Sequence, residues 1–206
     1  MPEFPIIDVI IPVFNEEDSI SLVLQDIPKD LVRHIIVANN NSTDKSAELA
    51  EQAGAIVVHQ AEKGYGAACL KALSFIENLD TKPDILVFLD GDYSDYPEEM
   101  RQLVEPIMQN KVDLVIGSRA LGDKEKGAML PQAIFGNKLA VSLIRMFYGY
   151  KFTDLGPFRA VRYSTFKSLN MQDRNFGWTV ELQVKKKKNG IPFTEIPVSY
   201  RKRIGK

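Results

Sequence analysis

Apolar residues along the chain follow two patterns: short dense blocks, and longer stretches where they recur three or four positions apart. The blocks at 6–13, 34–38, 55–59, 84–89 and 112–117 are rich in isoleucine, valine and leucine and read as buried strands. Between them the helical pattern takes over. Ile20, Leu22, Val23, Leu24 and Ile27 supply one apolar face. A second helix is expected over 44–53, capped by Ser42 or Thr43 and stopped at Gly54. A third opens at 63–68 and runs through Leu70, Leu73 and Phe75 to Leu79, and a fourth starts at Tyr96-Pro97-Glu98-Glu99 with proline in its first turn. Repeated strand–helix alternation implies right-handed crossovers and a mostly parallel central sheet flanked by helices, an α/β fold.

Beyond residue 120 the pattern loosens. Residues 131–150 read as a helix with Ile134, Leu139, Val141, Leu143, Ile144, Met146 and Phe147 apolar, more than one core-facing stripe requires. Three readings stay open for it: a buried core helix, a homodimer contact, or a greasy surface beside a lipid chain. A loop is expected at 153–160. A helix then starts at or just before Thr179 and closes at Lys185-Lys186-Lys187-Lys188-Asn189-Gly190, and a last strand follows at 193–198. Trp178, the only tryptophan, reads equally as a core residue or as a platform for a sugar ring.

Composition narrows the classes. The 206 residues are 45% hydrophobic with a net charge of -1, which suits one globular domain over 1–206 and argues against a nucleic-acid binder. Cys69 is the only cysteine, so neither an intramolecular disulfide nor a cysteine zinc site can form. No basic segment followed by an apolar core opens the chain, and no apolar run approaches the roughly 20 residues that span a bilayer. A cytoplasmic protein is expected, with peripheral contact at the inner face of the membrane left open. From Glu181 to Lys206 eight Lys/Arg face two Glu, a balance that fits either a solvated face or attraction to anionic lipid.

The chemistry gathers where strands end. Asp84-Ile85-Leu86-Val87-Phe88-Leu89 stops on Asp90-Gly91-Asp92, two carboxylates with a glycine that lets the backbone turn between them. In an open parallel sheet, ligands bind beyond the carboxyl ends of the strands. Two hard oxygen donors there suit Mg²⁺ or Mn²⁺ holding a substrate phosphate, although Asp-Gly-Asp alone is also an ordinary turn. After the second strand, Asn39-Asn40-Asn41-Ser42-Thr43-Asp44 is a polar loop able to bond its own backbone or a ligand. Lys63-Gly64-Tyr65-Gly66 at a helix start reads as a phosphate-binding turn or as close-packing glycines.

Ile11-Pro12-Val13-Phe14-Asn15-Glu16, the polar loop with Asp44, Lys63-Gly64-x-Gly66-x-Ala68, Asp90-Gly91-Asp92 and Gly117-Ser118-Arg119 follow one another in order. That set resembles family 2 glycosyltransferases of the GT-A fold, nearest to dolichyl-phosphate mannose synthases and polyprenyl-phosphate glycosyltransferases. The resemblance covers nearly the whole chain. It implies a nucleotide-sugar-binding half at 1–120 and an acceptor-binding half at 121–206. Pro12, Phe14, Glu16, Asn39, Asn41, Asp44, Lys63, Gly64, Asp90 and Gly91 would then line the donor site, with Asp90 and Asp92 on the metal and Arg119 as a nearby cation. In the loop Thr153-Asp154-Leu155-Gly156-Pro157-Phe158-Arg159-Ala160, the resemblance makes Arg159 a ligand of the acceptor phosphate and Asp154 a partner of sugar hydroxyls. Arg159 as an ion-pair residue and Asp154 as a partner of a basic residue are the structural alternatives. One departure is plain: the family usually has two aspartates where this chain has Asn39-Asn40, which leaves the preferred base open.

The expected activity is inverting, metal-dependent transfer of a hexose from a UDP- or GDP-linked sugar to a polyprenyl or dolichyl phosphate. A phosphate acceptor is already anionic and needs no general base. A hydroxyl acceptor needs one, and Asp154 and Glu181 are the carboxylates to consider. A sugar nucleotidyltransferase and a non-catalytic sugar-nucleotide-binding module are the remaining alternatives.

Overall fold

The computed structural model describes residues 5–129, 135–137, 139, 141–142, 146 and 152–205. Its first half alternates as the hydrophobic pattern predicts: β1 (Ile7–Val13), α1 (Ile20–Asp26), β2 (His34–Asn39), α2 (Ser46–Gln52), β3 (Ile56–His59), α3 (Tyr65–Glu77), β4 (Ile85–Phe88), α4 (Met100–Met108) and β5 (Leu114–Ser118). The second half adds β6 (Arg159–Arg162), α5 (Tyr163–Ser168), α6 (Trp178–Lys188) and β7 (Phe193–Pro197). The strands form one mostly parallel sheet in the order β3-β2-β1-β4-β6-β5-β7, flanked by helices, the α/β architecture expected from the sequence.

Neighbouring strands are parallel except at β6, which runs antiparallel between β4 and β5 and sets Arg159 opposite both Phe88 and Ile116. The expected loop at 153–160 therefore gives way to strand at its end. Only Ala160 and Val161 separate the two arginines of β6, too short an apolar run to signal a strand. Its backbone groups are satisfied by strands distant in sequence, and nonlocal pairing of this kind leaves no local periodicity.

Side chains alternate across the sheet and build a core on each face. Ile7, Val9, Ile11 and Val13 pack with Ile20, Val23 and Leu24 of α1 and Leu103, Val104 and Ile107 of α4. Ile10, Ile36, Leu86 and Phe88 pack with Ala68, Cys69, Ala72 and Ile76 of α3 and with Trp178 and Leu182 of α6. Trp178 is 2% exposed and stands 6.2 Å from the Phe166 ring, so it is a core residue. Asp8, fully buried in β1, is held by Arg33 in a forked pair at 3.0 and 2.5 Å.

Residues 135–137, 139, 141–142 and 146 are helical, as the sequence predicts for 131–150. Val141 packs on the α3-side core, whereas Phe135, Leu139 and Met146 are exposed. Ile134, Leu143, Ile144 and Phe147 lie outside the described residues. Among the described residues no helix is long and apolar enough to cross a membrane.

Candidate active site

β1, β2 and β4 are parallel neighbours, so their carboxyl ends open on one side of the sheet. A cleft of about 900 Å³ lies there. Its lining includes Pro12, Phe14, Glu16, Asp44, Lys63, Gly64, Asp90, Gly91 and Asp92, as expected from the sequence, together with Asn40, Tyr65, Phe176 and Arg203. Asn39, Asn41, Arg119, Asp154, Arg159 and Glu181 are not among the residues lining it.

Asp90 and Asp92 follow β4 across a turn in which space is short: a Cβ at Gly91 would stand 2.9 Å from the Val13 side chain and 3.7 Å from that of Glu16. Burial, and then the charge of Asp92, push the Asp90 carboxyl up to about 6, against the hydrogen bond it accepts from the Tyr65 hydroxyl at 3.2 Å. Asp92 Oδ1 accepts from the Ser94 amide at 3.0 Å and hydroxyl at 2.6 Å, which fixes its rotamer. Glu16 is half-buried beside them. Burial raises its carboxyl to about 7, with Arg203 opposing and Asp92 adding to the rise. Behind the turn Asp95 is 1% exposed, and burial and the charge of Asp90 hold its carboxyl well above the usual range. Two hard oxygen donors that repel one another at the floor of the cleft suit a divalent cation, which Asp90 and Asp92 could hold.

The polar loop after β2 is committed largely to its own architecture. Asn40 Nδ2 donates to the carbonyls of Gln60 at 3.3 Å and Glu62 at 2.6 Å, while Oδ1 accepts from Gly64 N–H at 2.8 Å. An amide alone satisfies two carbonyls and one N–H there, which gives asparagine in place of the family's aspartate a structural reason. Asn39 lies 3.2 Å from His59 Nδ1 and accepts from the Ser42 amide. Asn41 is exposed with a positive φ of 65°. Asp44 Oδ1 accepts from the amide and hydroxyl of Ser46, and Oδ2 from the Glu17 amide. Asp44, and not Ser42 or Thr43, thus bonds the first amide of α2, which begins two residues later than expected, at Ser46.

The glycines at the start of α3 serve packing. Gly66 N–H and Ala67 N–H donate to the carbonyls of Asn175 and Arg174, and a Cβ at Gly66 would lie 2.0 Å from the Asp173 carbonyl oxygen. The 173–175 loop therefore occupies the helix start that a phosphate would otherwise take. Lys63 sits outside it, its Nζ 5.9 Å from the Phe14 ring.

Four charged residues expected at the site form buried or bonded structure around it. Arg119 Nε and Nη2 both donate to Asp154 at 2.7 Å, and the Arg119 amide adds a third bond at 2.9 Å. Asp154 is fully buried, and the Arg119 guanidinium lies 5.1 Å from the Tyr200 ring. Arg159 is 1% exposed on the α3 side of the sheet, with Nε donating to the Pro157 carbonyl and Nη2 to that of Gly156. Glu181 accepts from the Gln172 and Asp173 amides and pairs with Lys185 at 2.7 Å; despite burial, these partners hold its carboxyl below the usual range. Nor is the lysine run wholly a solvated face: Lys186 is buried against the Phe193 and Phe152 rings, and burial pushes its ammonium down to about 6.

Sequence reasoning missed Asn40, Tyr65, Phe176 and Arg203, of which Arg203 is the charged one. Its guanidinium lies 3.0 Å from Glu16 Oε1 and 3.8 Å from Asp92 Oδ2. The available signal was the basic run Arg201-Lys202-Arg203, which carries no mark of which cleft it enters.

The chain is similar to known proteins along nearly its whole length. The chain is 31% identical over 201 residues to the glycosyltransferase AglJ of Haloferax volcanii, covering 97% of this chain and 64% of that protein. It is 29% identical to a dolichyl-phosphate hexose transferase of the same organism, covering 96% of this chain and 83% of that one. In fold it matches glucosyl-3-phosphoglycerate synthase from Mycobacterium tuberculosis, crystallised with Mn²⁺, uridine diphosphate and phosphoglyceric acid. The TM-score is 0.76 at 22% identity, over 98% of this chain and 71% of that one. The family profile of glycosyl transferase family 2 matches residues 8–170, and the chain belongs to that family.

Proposed function

We propose that this chain transfers a hexose, with inversion, from a UDP- or GDP-linked donor to a polyprenyl phosphate, residues 1–120 together with Phe176 and Arg203 serving the donor and the remainder of 121–206 the acceptor. The observation that carries the acceptor class is the state of the two carboxylates a hydroxyl acceptor would need as bases. Asp154 spends both oxygens on Arg119, and Glu181 is bonded to Lys185 and two backbone amides. A base must be able to reach and take the proton of its substrate. A phosphate acceptor makes no such demand, since its attacking oxygen is already anionic. The Haloferax volcanii dolichyl-phosphate hexose transferase supports the same class by its name.

On the donor side, the half-exposed Phe14 ring offers a face to the base, and Lys63 and Arg203 bring positive charge to the diphosphate. Asp90 and Asp92 would hold Mg²⁺ or Mn²⁺, which supplies charge to offset that building on the leaving diphosphate. Tyr65 orients Asp90, and Ser94 orients Asp92, before any ligand arrives. Glu62, engaged by Arg174, ties the rim of the cleft to the loop that leads into α6.

The test is transfer of labelled sugar from a panel of UDP- and GDP-hexoses into an organic-solvent-extractable product, with a short polyprenyl phosphate, Mn²⁺ or Mg²⁺, and an EDTA control. Metal-dependent label in the lipid phase is the expected result. Metal-dependent donor turnover with no lipid product would refute the phosphate acceptor and assign a hydroxyl one.

A further inference from the structure

We propose that Arg203 is a resident counter-cation of Glu16 and Asp92 that yields its place to the divalent metal and passes to the anion arriving with it. The inference rests on the reading of Asp90 and Asp92 as the cation site, and it concerns a side chain outside that pair.

Arg203 reaches the cleft because its backbone is fastened there. Ile204 N–H donates to the Asp92 carbonyl at 2.9 Å and Arg201 N–H to the Ser94 carbonyl at 3.0 Å, so the segment runs along the Asp-Gly-Asp turn. Arg201 anchors it further: its Nε donates to the Tyr93 carbonyl at 2.6 Å, and its guanidinium lies 3.3 Å from the Tyr93 ring and 4.3 Å from that of Tyr96. The Arg203 side chain differs from this anchor. It is 49% exposed, and its guanidinium meets carboxylates that are themselves only 12% and 14% exposed.

Glu16, Asp90 and Asp92 together demand positive charge. Arg203 supplies one unit of it, from the side of Asp92 that faces Glu16. A guanidinium held 3.8 Å from Asp92 Oδ2 would be repelled strongly by a divalent ion on the same carboxylate, since like charges at such spacing in a partly enclosed site interact by several kcal/mol. The two are therefore alternatives at Asp92. Displacement costs Arg203 little, because a half-exposed ion pair contributes only modestly. Held by the Ile204–Asp92 bond, the displaced guanidinium stays beside the metal, where its planar fork matches the oxygens of a diphosphate. The exchange gives affinities of opposite sign: Arg203 weakens binding of the bare cation and strengthens binding of the cation–diphosphate complex.

The full chain tests this without turnover. Mn²⁺ binding is measured from the electron paramagnetic resonance signal of free Mn²⁺ in the absence of nucleotide, and UDP binding by calorimetry at saturating Mn²⁺. Arg203→Gln is expected to bind Mn²⁺ about two- to fivefold more tightly than wild type, the yield of one exposed ion pair. It should bind UDP about tenfold or more weakly, as expected for loss of a charged hydrogen-bond donor. Arg203→Lys keeps the charge and should bind Mn²⁺ like wild type. Equal or weaker Mn²⁺ binding by Arg203→Gln overturns the exchange, and so does UDP affinity that does not change. A wild type that binds Mn²⁺ no better than Asp92→Asn instead overturns the cation site itself, a distinct failure.

Discussion

Replacing Asn40 by aspartate changes the volume of the cleft floor hardly at all, yet reverses the polarity of one atom. The side chain is 8% exposed, with Nδ2 bonded to the carbonyls of Gln60 and Glu62 and Oδ1 to Gly64 N–H. In Asn40→Asp the second oxygen faces two carbonyl oxygens in place of a donor. Two hydrogen bonds vanish, and a charge is left against like dipoles. Leaving a buried polar group unsatisfied costs about 1–3 kcal/mol, so the loss at pH 8 should be about 2–5 kcal/mol. For a chain of this length that corresponds to a melting point lower by roughly 5–20 °C. The sign with pH is also fixed. Burial and the facing carbonyls raise the new carboxyl's pKa in the folded state above its unfolded value of about 3.9. The folded chain then holds the proton longer than the unfolded one, and the protonated acid can donate to one carbonyl. The penalty is therefore small near pH 4 and grows as pH rises through the folded pKa. Thermal unfolding followed by circular dichroism at pH 5 and pH 8, for wild type and variant, measures it. A variant melting within 1–2 °C of wild type at pH 8, or a penalty larger at pH 5 than at pH 8, would refute the assignment of the amide as the clip of this loop.

Other perturbations follow from the same contacts. Asp154→Ala strands the Arg119 guanidinium, 15% exposed, without its carboxylate and should cost about 3–5 kcal/mol in urea unfolding; a loss below about 1 kcal/mol would contradict the buried pairing. Gly66→Ala should destabilise despite the gain of about 1 kcal/mol in helix propensity, because the new Cβ meets the Asp173 carbonyl at 2.0 Å; a rise in melting temperature would show that loop 173–175 is not packed on α3. Glu16 and Asp90, at about 7 and about 6 against ordinary values of 4.5 and 3.8, bind protons more tightly folded than unfolded. Stability in EDTA should therefore fall as pH rises from about 4 to 7, and the fall should flatten in Glu16→Gln. Melting curves of Glu16→Gln and wild type with the same slope against pH would sink that assignment.

Much of the donor half was legible because its signals are local. Each of β1, β2, β4 and β5 is dominated by apolar, largely β-branched residues, and helical stretches lie between them, so alternation alone implies a parallel sheet. The rule that ligands gather at the carboxyl ends of such strands placed Asp90 and Asp92 at the cleft, and the resemblance to family 2 glycosyltransferases added Pro12, Phe14, Glu16 and Lys63, all of which line it. The second half shows where locality fails. β6 is four residues bounded by arginines, and only pairing with Phe88 and Ile116 makes it a strand. That Arg119 and Asp154 bond to each other depends on a contact between residues 35 apart, which no local pattern signals. Lys186 looks like one of four solvated lysines until the Phe152 and Phe193 rings close over it. Arg203 meets Glu16 across 187 residues of chain. Sequence thus determined which backbone segments could bury themselves, since that follows from the spacing of apolar side chains along a strand or helix. Tertiary structure alone decided which charges are spent on one another and which remain for a ligand, because electrostatic pairing depends on distance in space and on burial, and neither is encoded in the spacing of any single segment.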